Sequence, residues 1–498
     1  MILKALIKKA ANSKTALIIF LAAVILYFSL RLPILTKIPV FVDEAIYIRW
    51  SQIMKNEPSL RFLPLSDGKP PLFMWATMPF FKVFNDPLVA GRMVSVASGF
   101  FALAGISLLA FIVTNNLLTA SLSALILAVT PFNVFFDRMA LVDSLLSALG
   151  LWSLALGVLF VKTLRLDVAM ILGGTLGLAL LTKSPAIFFF LWQPLLALFF
   201  LKRKPLSAAK LLGGWLVAFI ISYGIYNILR LGPNFHLVNS RNQDYLYTYS
   251  EVLTHLNKPL VHNLKQTWAW LWSLITPVTL LLAASALFVK KHRKTAIAFI
   301  LISAVPLLAQ GLVAKVYTSR YILFAVTPLL VPAALVLKAR PPLLLLLIFP
   351  LMVSLGYVFR PVDIKMPFDM RNGYLEEWTA GWGQKEIGDF LKEKAKVGQK
   401  VVVGTEGFFG SLPDGLQIYT QGLSNITVIG SSPYVGDIPE SLTNSLTDPQ
   451  NEVYFVVNKS RLHLPADQME RLKLIAEYPK PPRSDASREA LLFFQLTY

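Results

Sequence analysis

Long apolar runs broken by short polar interruptions fill residues 15–360, and the pattern changes beyond them. A helix crosses the hydrocarbon layer of a bilayer with about 20 apolar residues. Eleven stretches approach or reach that length, near 15–34, 92–114, 117–134, 142–161, 168–182, 186–201, 211–229, 266–289, 296–314, 321–337 and 341–359. Only Lys183-Ser184-Pro185 separates the fifth from the sixth, and a proline there ends one helix and starts the next. Runs such as Leu343–Leu347 leave no polar face for water, so they read as spans rather than as core helices of a soluble protein.

The remaining segments carry other periods. In the first long loop, 36–91, Ile46, Trp50 and Ile53 recur at near-helical spacing, Ser66-Asp67-Gly68 is turn material, and Pro70–Phe84 is apolar and aromatic. This predicts two helices lying in the membrane interface. A second loop spans 231–265. Beyond a connector at 361–384, rich in Trp, Tyr and Gly and expected to pack on the membrane part, residues 385–498 alternate strands and helices. Helices are expected at Lys385–Lys396 and Ala466–Ala476, and strands at Lys400–Gly404, Ile426–Gly430, Val453–Val457 and Ala490–Leu496. The expected fold is a polytopic α-helical membrane protein with a C-terminal α/β domain, the membrane domain taking 1–360.

Charge sharpens this picture. The chain has 498 residues with a net charge of +19 and no Cys, which excludes a disulfide or Cys-ligated metal scaffold. Residues 1–360 hold 33 basic and 10 acidic side chains, whereas 361–498 hold 14 and 18. The basicity therefore belongs to the apolar part and signals membrane topology, not nucleic-acid binding. With a cytoplasmic N-terminus (Lys4, Lys8, Lys9, Lys14), the Lys/Arg-rich segments Lys162–Asp167, Lys202–Lys210, Lys290–Lys294 and Lys338–Arg340 also fall inside. Nine of the ten acids of 1–360 then fall outside, together with the tail. The first span lacks a small-residue cleavage site and reads as an uncleaved anchor.

This topology brings scattered charges to the outer side: Asp43-Glu44, Lys69, Arg92, Asp137-Arg138, Asp143, Lys183 and Arg320-Tyr321. Each also has a structural reading: Asp43-Glu44 as a helix first turn, Lys69 as an interface anchor, Arg92 in an ion pair with Asp137 or Asp143, Lys183 and Arg320 as snorkelling ends. Together they suit an amphiphile with an anionic phosphate, a polar head and an apolar tail. A carboxylate such as Asp43 can serve as general base while Lys and Arg stabilise a departing phosphate. Adjacent helical residues point about 100° apart, so Glu44 would instead orient a neighbouring Arg or the acceptor. A transporter or flippase of a lipid-linked or anionic solute is the alternative, and a lipid-scaffolding protein a third. His236, His255 and His262 lack metal-ligand spacing; Trp268, Trp270 and Trp272 are expected in an interfacial belt. Asn425-Ile426-Thr427 and Asn458-Lys459-Ser460 match the glycosylation acceptor pattern.

The motifs Val42–Tyr47, Gly68-Lys69-Pro70-Pro71-Leu72-Phe73-Met74-Trp75, Ala90–Ser95, Asp137–Asp143, Thr182-Lys183-Ser184-Pro185 and Ser319–Leu323 carry a resemblance. In order and sidedness, along 15–337, the chain resembles the polyprenyl-phosphate-sugar-dependent glycosyltransferases of family 39, of the protein O-mannosyltransferase and aminoarabinose-transferase type, within the GT-C superfamily. The resemblance implies an inverting integral-membrane transferase with a lipid-phosphate monosaccharide donor, an extracytoplasmic acceptor and no catalytic metal or other cofactor. It implies Asp43 as acceptor-activating carboxylate with Glu44 beside it. Lys69 and Arg320, with Lys183 and Tyr321, would contact the donor phosphate; Arg92, Asp137, Arg138 and Asp143 would support the site. The aminoarabinose transferases have an acidic residue directly before the Lys-Pro pair. Here Gly68 holds that place and Asp67 stands one further back, so a lipid A acceptor is not implied. The second loop is too short for a sugar-binding trefoil, so protein acceptors are not implied either.

Overall fold

A computed structural model describes residues 13–201, 207–254 and 257–497. Lys4, Lys8, Lys9, His255 and the 202–206 part of the inner segment lie outside the described residues. Each of the eleven apolar stretches is helical. Among the described residues seven helices are long and apolar enough to span: Lys14–Arg31, Pro87–Thr114, Val142–Thr163, Ala208–Leu231, Arg293–Val313, Ser319–Ala339 and Pro341–Phe359. Pro259–Ile275 and Pro277–Phe288 form a further pair bent by 98°, at a break where Thr276 takes φ +74° ahead of Pro277. Leu117–Val129, Leu166–Leu180 and Ser184–Phe200 are shorter apolar helices, the first capped by the Asn116 side chain accepting from the Thr119 N–H. The protein is an integral membrane protein.

The chain divides into two compact units. The first comprises residues up to Ile34, Leu60–Phe73 and Met93–Lys365; the second comprises Leu35–Ser59, Met74–Arg92 and the tail from Met366. Much of the first outer loop thus folds with the tail. Its helix Val42–Asn56 buries Ile46, Trp50 and Met54, while Ile53 of the apolar stripe is half-buried. Trp50 stacks on Phe409 at 5.6 Å, and the Gln52 amide donates to the Ile418 carbonyl at 2.9 Å. Residues Val40–Val42 pair with the connector: the Gly381 N–H donates to Val40 O at 2.8 Å, and Tyr374 packs on Phe41 at 4.4 Å.

The tail holds a five-stranded sheet of β1 (Lys400–Thr405), β2 (Ile426–Gly430), β3 (Asn451–Asn458), β4 (Leu472–Pro479) and β5 (Ala490–Leu496), in the order β2-β1-β3-β5-β4. β1 is parallel to β2 and β3, and β5 is antiparallel to β3 and β4. β1, β3 and β5 read as unbroken apolar runs because both faces are covered. Val401, Val403, Tyr454, Val456, Leu491 and Phe493 pack on helix Gln384–Lys396; Val402, Val453, Phe455, Val457, Leu492 and Phe494 pack on the opposite side with Leu442 and Leu446.

The helix expected at Ala466–Ala476 is a correction. Only Ala466–Met469 is helical, and Leu472–Pro479 is the edge strand β4. A register shift between Leu474 and Ala476 interrupts the two-residue alternation that would have marked a strand. Trp270 is a second correction. It is 3% exposed and packs on Tyr317 at 4.9 Å, while Trp268 and Trp272, two residues to either side, face outward.

Candidate functional site

The charged residues singled out in the sequence fall into separate groups, each held by its own partners. In the second unit, Asp43 and Glu44 open helix Val42–Asn56. Asp43 is half-buried; Glu44 is fully buried and accepts the Phe41 N–H at 3.0 Å. Arg92, also fully buried, donates to both Glu44 carboxylate oxygens, from Nε at 2.8 Å and from Nη2 at 2.6 Å. Its other donors reach the carbonyls of Leu35 and Ile38, at 2.7 and 2.8 Å, and Pro39 at 3.0 Å. A guanidinium has five N–H groups, and here five acceptors meet it. The backbone entering the helix and the helix's first turn are therefore fixed by one side chain. Arg92 pairs with Glu44, not with Asp137 or Asp143 as its alternative reading held.

Around the same helix, burial pushes the Asp414 carboxyl up to about 6, against the Gly410 N–H and the Arg49 charge. In the tail, desolvation draws the Lys480 ammonium down to about 7 despite Glu489, Glu406 and Glu377 nearby. Lys480 donates to the side-chain oxygen of Asn458, whose amide donates to Glu406 at 2.8 Å. Asn458 is 1% exposed, so its glycosylation-like motif serves this network. Asn425 caps carbonyls of Ala395 and Gln399 in the same structural manner.

In the first unit, Asp137 is bound by Arg31, which donates from Nε at 3.2 Å and Nη2 at 3.1 Å and stacks on Tyr27 at 4.1 Å. Ser144 Oγ donates to the other carboxylate oxygen of Asp137 at 2.9 Å. Gly99 lies against this pair: a Cβ there would stand 2.3 Å from both Asp137 Cγ and the Tyr27 hydroxyl. Arg138 donates to the carbonyls of Leu30, Arg31, Pro33 and Ile34, capping the C-terminus of helix Lys14–Arg31. Sequence reasoning passed over Arg31. Its signal was a charged residue inside an apolar stretch, which at membrane depth requires a partner.

Asp143 and Lys183 form an ion pair of 2.7 Å, and the Lys183 ammonium lies 4.0 Å from the centroid of the Tyr321 ring. Arg320 lies 5.4 Å from the same centroid. Three of the predicted donor-phosphate residues, Lys183, Arg320 and Tyr321, are thus one cluster. Lys69 belongs to another, with Asp67 at 3.1 Å and Asp67 in turn 3.3 Å from Arg241. The Leu72 N–H donates to Leu181 O at 3.1 Å, joining the chain just after Lys69 to the chain just before Lys183.

Beside these residues is a cavity of about 480 Å³ with a largely apolar lining that includes Ile187, Phe190 and Phe219. Pro70, Ser184 and Asn242 also line it. Each of those three directly follows a cation in the chain: Lys69, Lys183 and Arg241. Among the described residues, no group of three or more His, Asp or Glu is placed to hold a metal ion.

Residues 68–226 match the family described as dolichyl-phosphate-mannose-protein mannosyltransferase. No curated protein sequence matches the chain. Among solved structures, ArnT from Cupriavidus metallidurans in the apo state aligns over 96% of this chain and 97% of that chain, with TM-score 0.56 and 14% identity. ArnT bound to undecaprenyl phosphate aligns over the same shares with TM-score 0.54 and 14% identity. The archaeal oligosaccharyltransferase AglB from Archaeoglobus fulgidus aligns over 89% of this chain and 69% of that chain, with TM-score 0.46 and 11% identity. The fold is that of ArnT, and it extends through the tail.

Proposed function

We propose that this chain, a glycosyltransferase of the GT-C superfamily, moves a monosaccharide from a polyprenyl-phosphate donor to an acceptor outside the cytoplasm. The observation that carries the donor assignment is the apolar cavity with Lys69 and Lys183 each one residue from its lining. A long apolar chain ending in a phosphate matches such an arrangement: the tail is removed from water and the charge meets cations. The ArnT structure that holds undecaprenyl phosphate supports the choice of carrier class.

Asp43 is the general base. It takes the proton of the acceptor hydroxyl or amine as that atom attacks the anomeric carbon. The new bond forms opposite the departing phosphate, so configuration inverts, and the bonding pair of the broken C–O bond leaves with the phosphate. Lys69 and Arg320, with Lys183 and Tyr321, hold the phosphate and stabilise its growing charge. Glu44 is committed to Arg92, which leaves the proton transfer to Asp43. Asp137, Arg138 and Asp143 are supports. Arg138 fixes residues 30–34 at the entry to the first loop, and Asp143 holds Lys183. The positive segments face the cytoplasm, which puts Asp43 and the tail outside.

Mass spectrometry of cell-envelope glycolipids, glycans and glycoproteins, with and without the gene, tests this reading. One class should lose a defined sugar mass in the deletion and regain it on complementation. An unchanged envelope, with vesicle uptake of a lipid-linked solute, would replace the transferase by a transporter.

A further inference from the structure

Asp67 stands two residues before Lys69, with Gly68 between them. Residues Leu63–Asp67 form a tight helical turn that ends at Gly68, whose φ of +63° reverses the chain. That left-handed residue lets Asp67 fold back to 3.1 Å from the Lys69 ammonium. The other Asp67 oxygen stands 3.3 Å from Arg241 Nε. Arg241 belongs to helix Leu237–Tyr245 of the second outer loop, and it also donates to Asp244 at 2.9 Å and to the Tyr245 hydroxyl at 3.3 Å. The two segments touch closely. A Cβ at position 68 would stand 2.5 Å from Arg241 Cβ and 2.6 Å from the Leu237 carbonyl oxygen. The same helix contributes Val238 and Asn242 to the apolar cavity, and Ser184 Oγ meets Asn242 Oδ1 at 3.4 Å.

We propose that Asp67 and Arg241 are positioning residues for Lys69, and that through them the second outer loop sets the affinity for the donor phosphate. The proposal rests on the donor-phosphate role of Lys69 given above. A lysine side chain is flexible, and a carboxylate shared between two cations restricts where its ammonium can stand. Asp67 is itself held by the Arg241 guanidinium, which is anchored at its other end by Asp244 and Tyr245. An arriving phosphate then meets an ammonium already ordered. Loss of that order lowers affinity roughly 3- to 10-fold, the usual effect of immobilising one long side chain on binding.

The test titrates undecaprenyl phosphate into the full chain in nanodiscs and reads the bound fraction by native mass spectrometry. Arg241→Ala and Asp67→Asn should each bind roughly 3- to 10-fold more weakly, and Arg241→Lys should recover part of the loss. In a Lys69→Ala background, Arg241→Ala should weaken binding no further. Unchanged affinity in Arg241→Ala would overturn the proposal. So would an undiminished loss in the Lys69→Ala background, because Arg241 would then act on phosphate without Lys69. Wild-type protein that binds no undecaprenyl phosphate would instead remove the donor reading itself, and the proposal would fall with it. Elution of each variant as a single folded species separates a binding defect from misfolding.

Discussion

The Arg92–Glu44 clamp gives the sharpest structural prediction. Both side chains are fully buried, and Arg92 makes five hydrogen bonds, two to Glu44 and three to the carbonyls of Leu35, Ile38 and Pro39. Removing one partner of a buried pair costs about 3–5 kcal/mol, chiefly because the other charge stays behind. Arg92→Met also strands three backbone acceptors, at about 1 kcal/mol or more each. Its expected total is therefore at or above the top of that range. Arg92→Lys keeps the charge but offers three donors for five acceptors, and should lose roughly 2–3 kcal/mol. Glu44→Gln leaves a cation unmatched and belongs near 3–5 kcal/mol. The double variant Arg92→Met/Glu44→Gln removes both charges. It should be less destabilised than the sum of the singles by about 2–3 kcal/mol, within the range known for contacting pairs. The assay is hydrogen–deuterium exchange of peptides covering 35–48, which reads local opening in an intact membrane protein. Protection in Arg92→Met equal to wild type would refute the reasoning. Additivity of the double variant within about 0.5 kcal/mol would refute it too.

Three further outcomes follow from the same geometry. Asp414 titrates near 6 in the fold against 3.8 unfolded, so the folded state keeps a proton that the unfolded chain has lost. Stability of the 407–421 region should therefore fall as pH rises from about 4 to about 6, by at most about 3 kcal/mol, and flatten above that. Asp414→Asn should abolish the slope in exchange measurements, and a persisting slope would exclude Asp414 as its source. Gly99→Ala should lower the apparent melting temperature through an overpacking cost of about 1–3 kcal/mol, since its methyl would overlap Asp137 and Tyr27; wild-type melting would contradict the close approach. Arg320→Ala should weaken donor binding while the protein still folds, and wild-type affinity would remove Arg320 from the phosphate site.

Much of the architecture was legible in the chain because a bilayer imposes a length rule. Stretches of about 20 apolar residues announce themselves without tertiary information, and each such stretch is helical. The central strands β1, β3 and β5 were legible for a related reason, since burial on both faces leaves an unbroken apolar run. β4 was not legible, because it lies at an edge and carries a register shift. The charged residues could be named from the sequence, but their partners could not. Arg92 meets Glu44 from 48 residues away and Arg31 meets Asp137 from 106, and spacing along the chain carries no trace of either pairing. The first outer loop shows the same limit. Its apolar stripe foretold a buried face, yet lipid and protein leave the same stripe, and only the fold shows Trp50 of that stripe stacked on the tail residue Phe409.

The measurement closest to the centre of the account is sugar transfer by the purified full-length protein from polyprenyl-phosphate monosaccharides, comparing wild type with Asp43→Asn. Wild type should transfer the sugar with inverted anomeric configuration, and Asp43→Asn should lose transfer with donor binding and melting behaviour retained. Full transfer by Asp43→Asn, or retained configuration in the product, would contradict it.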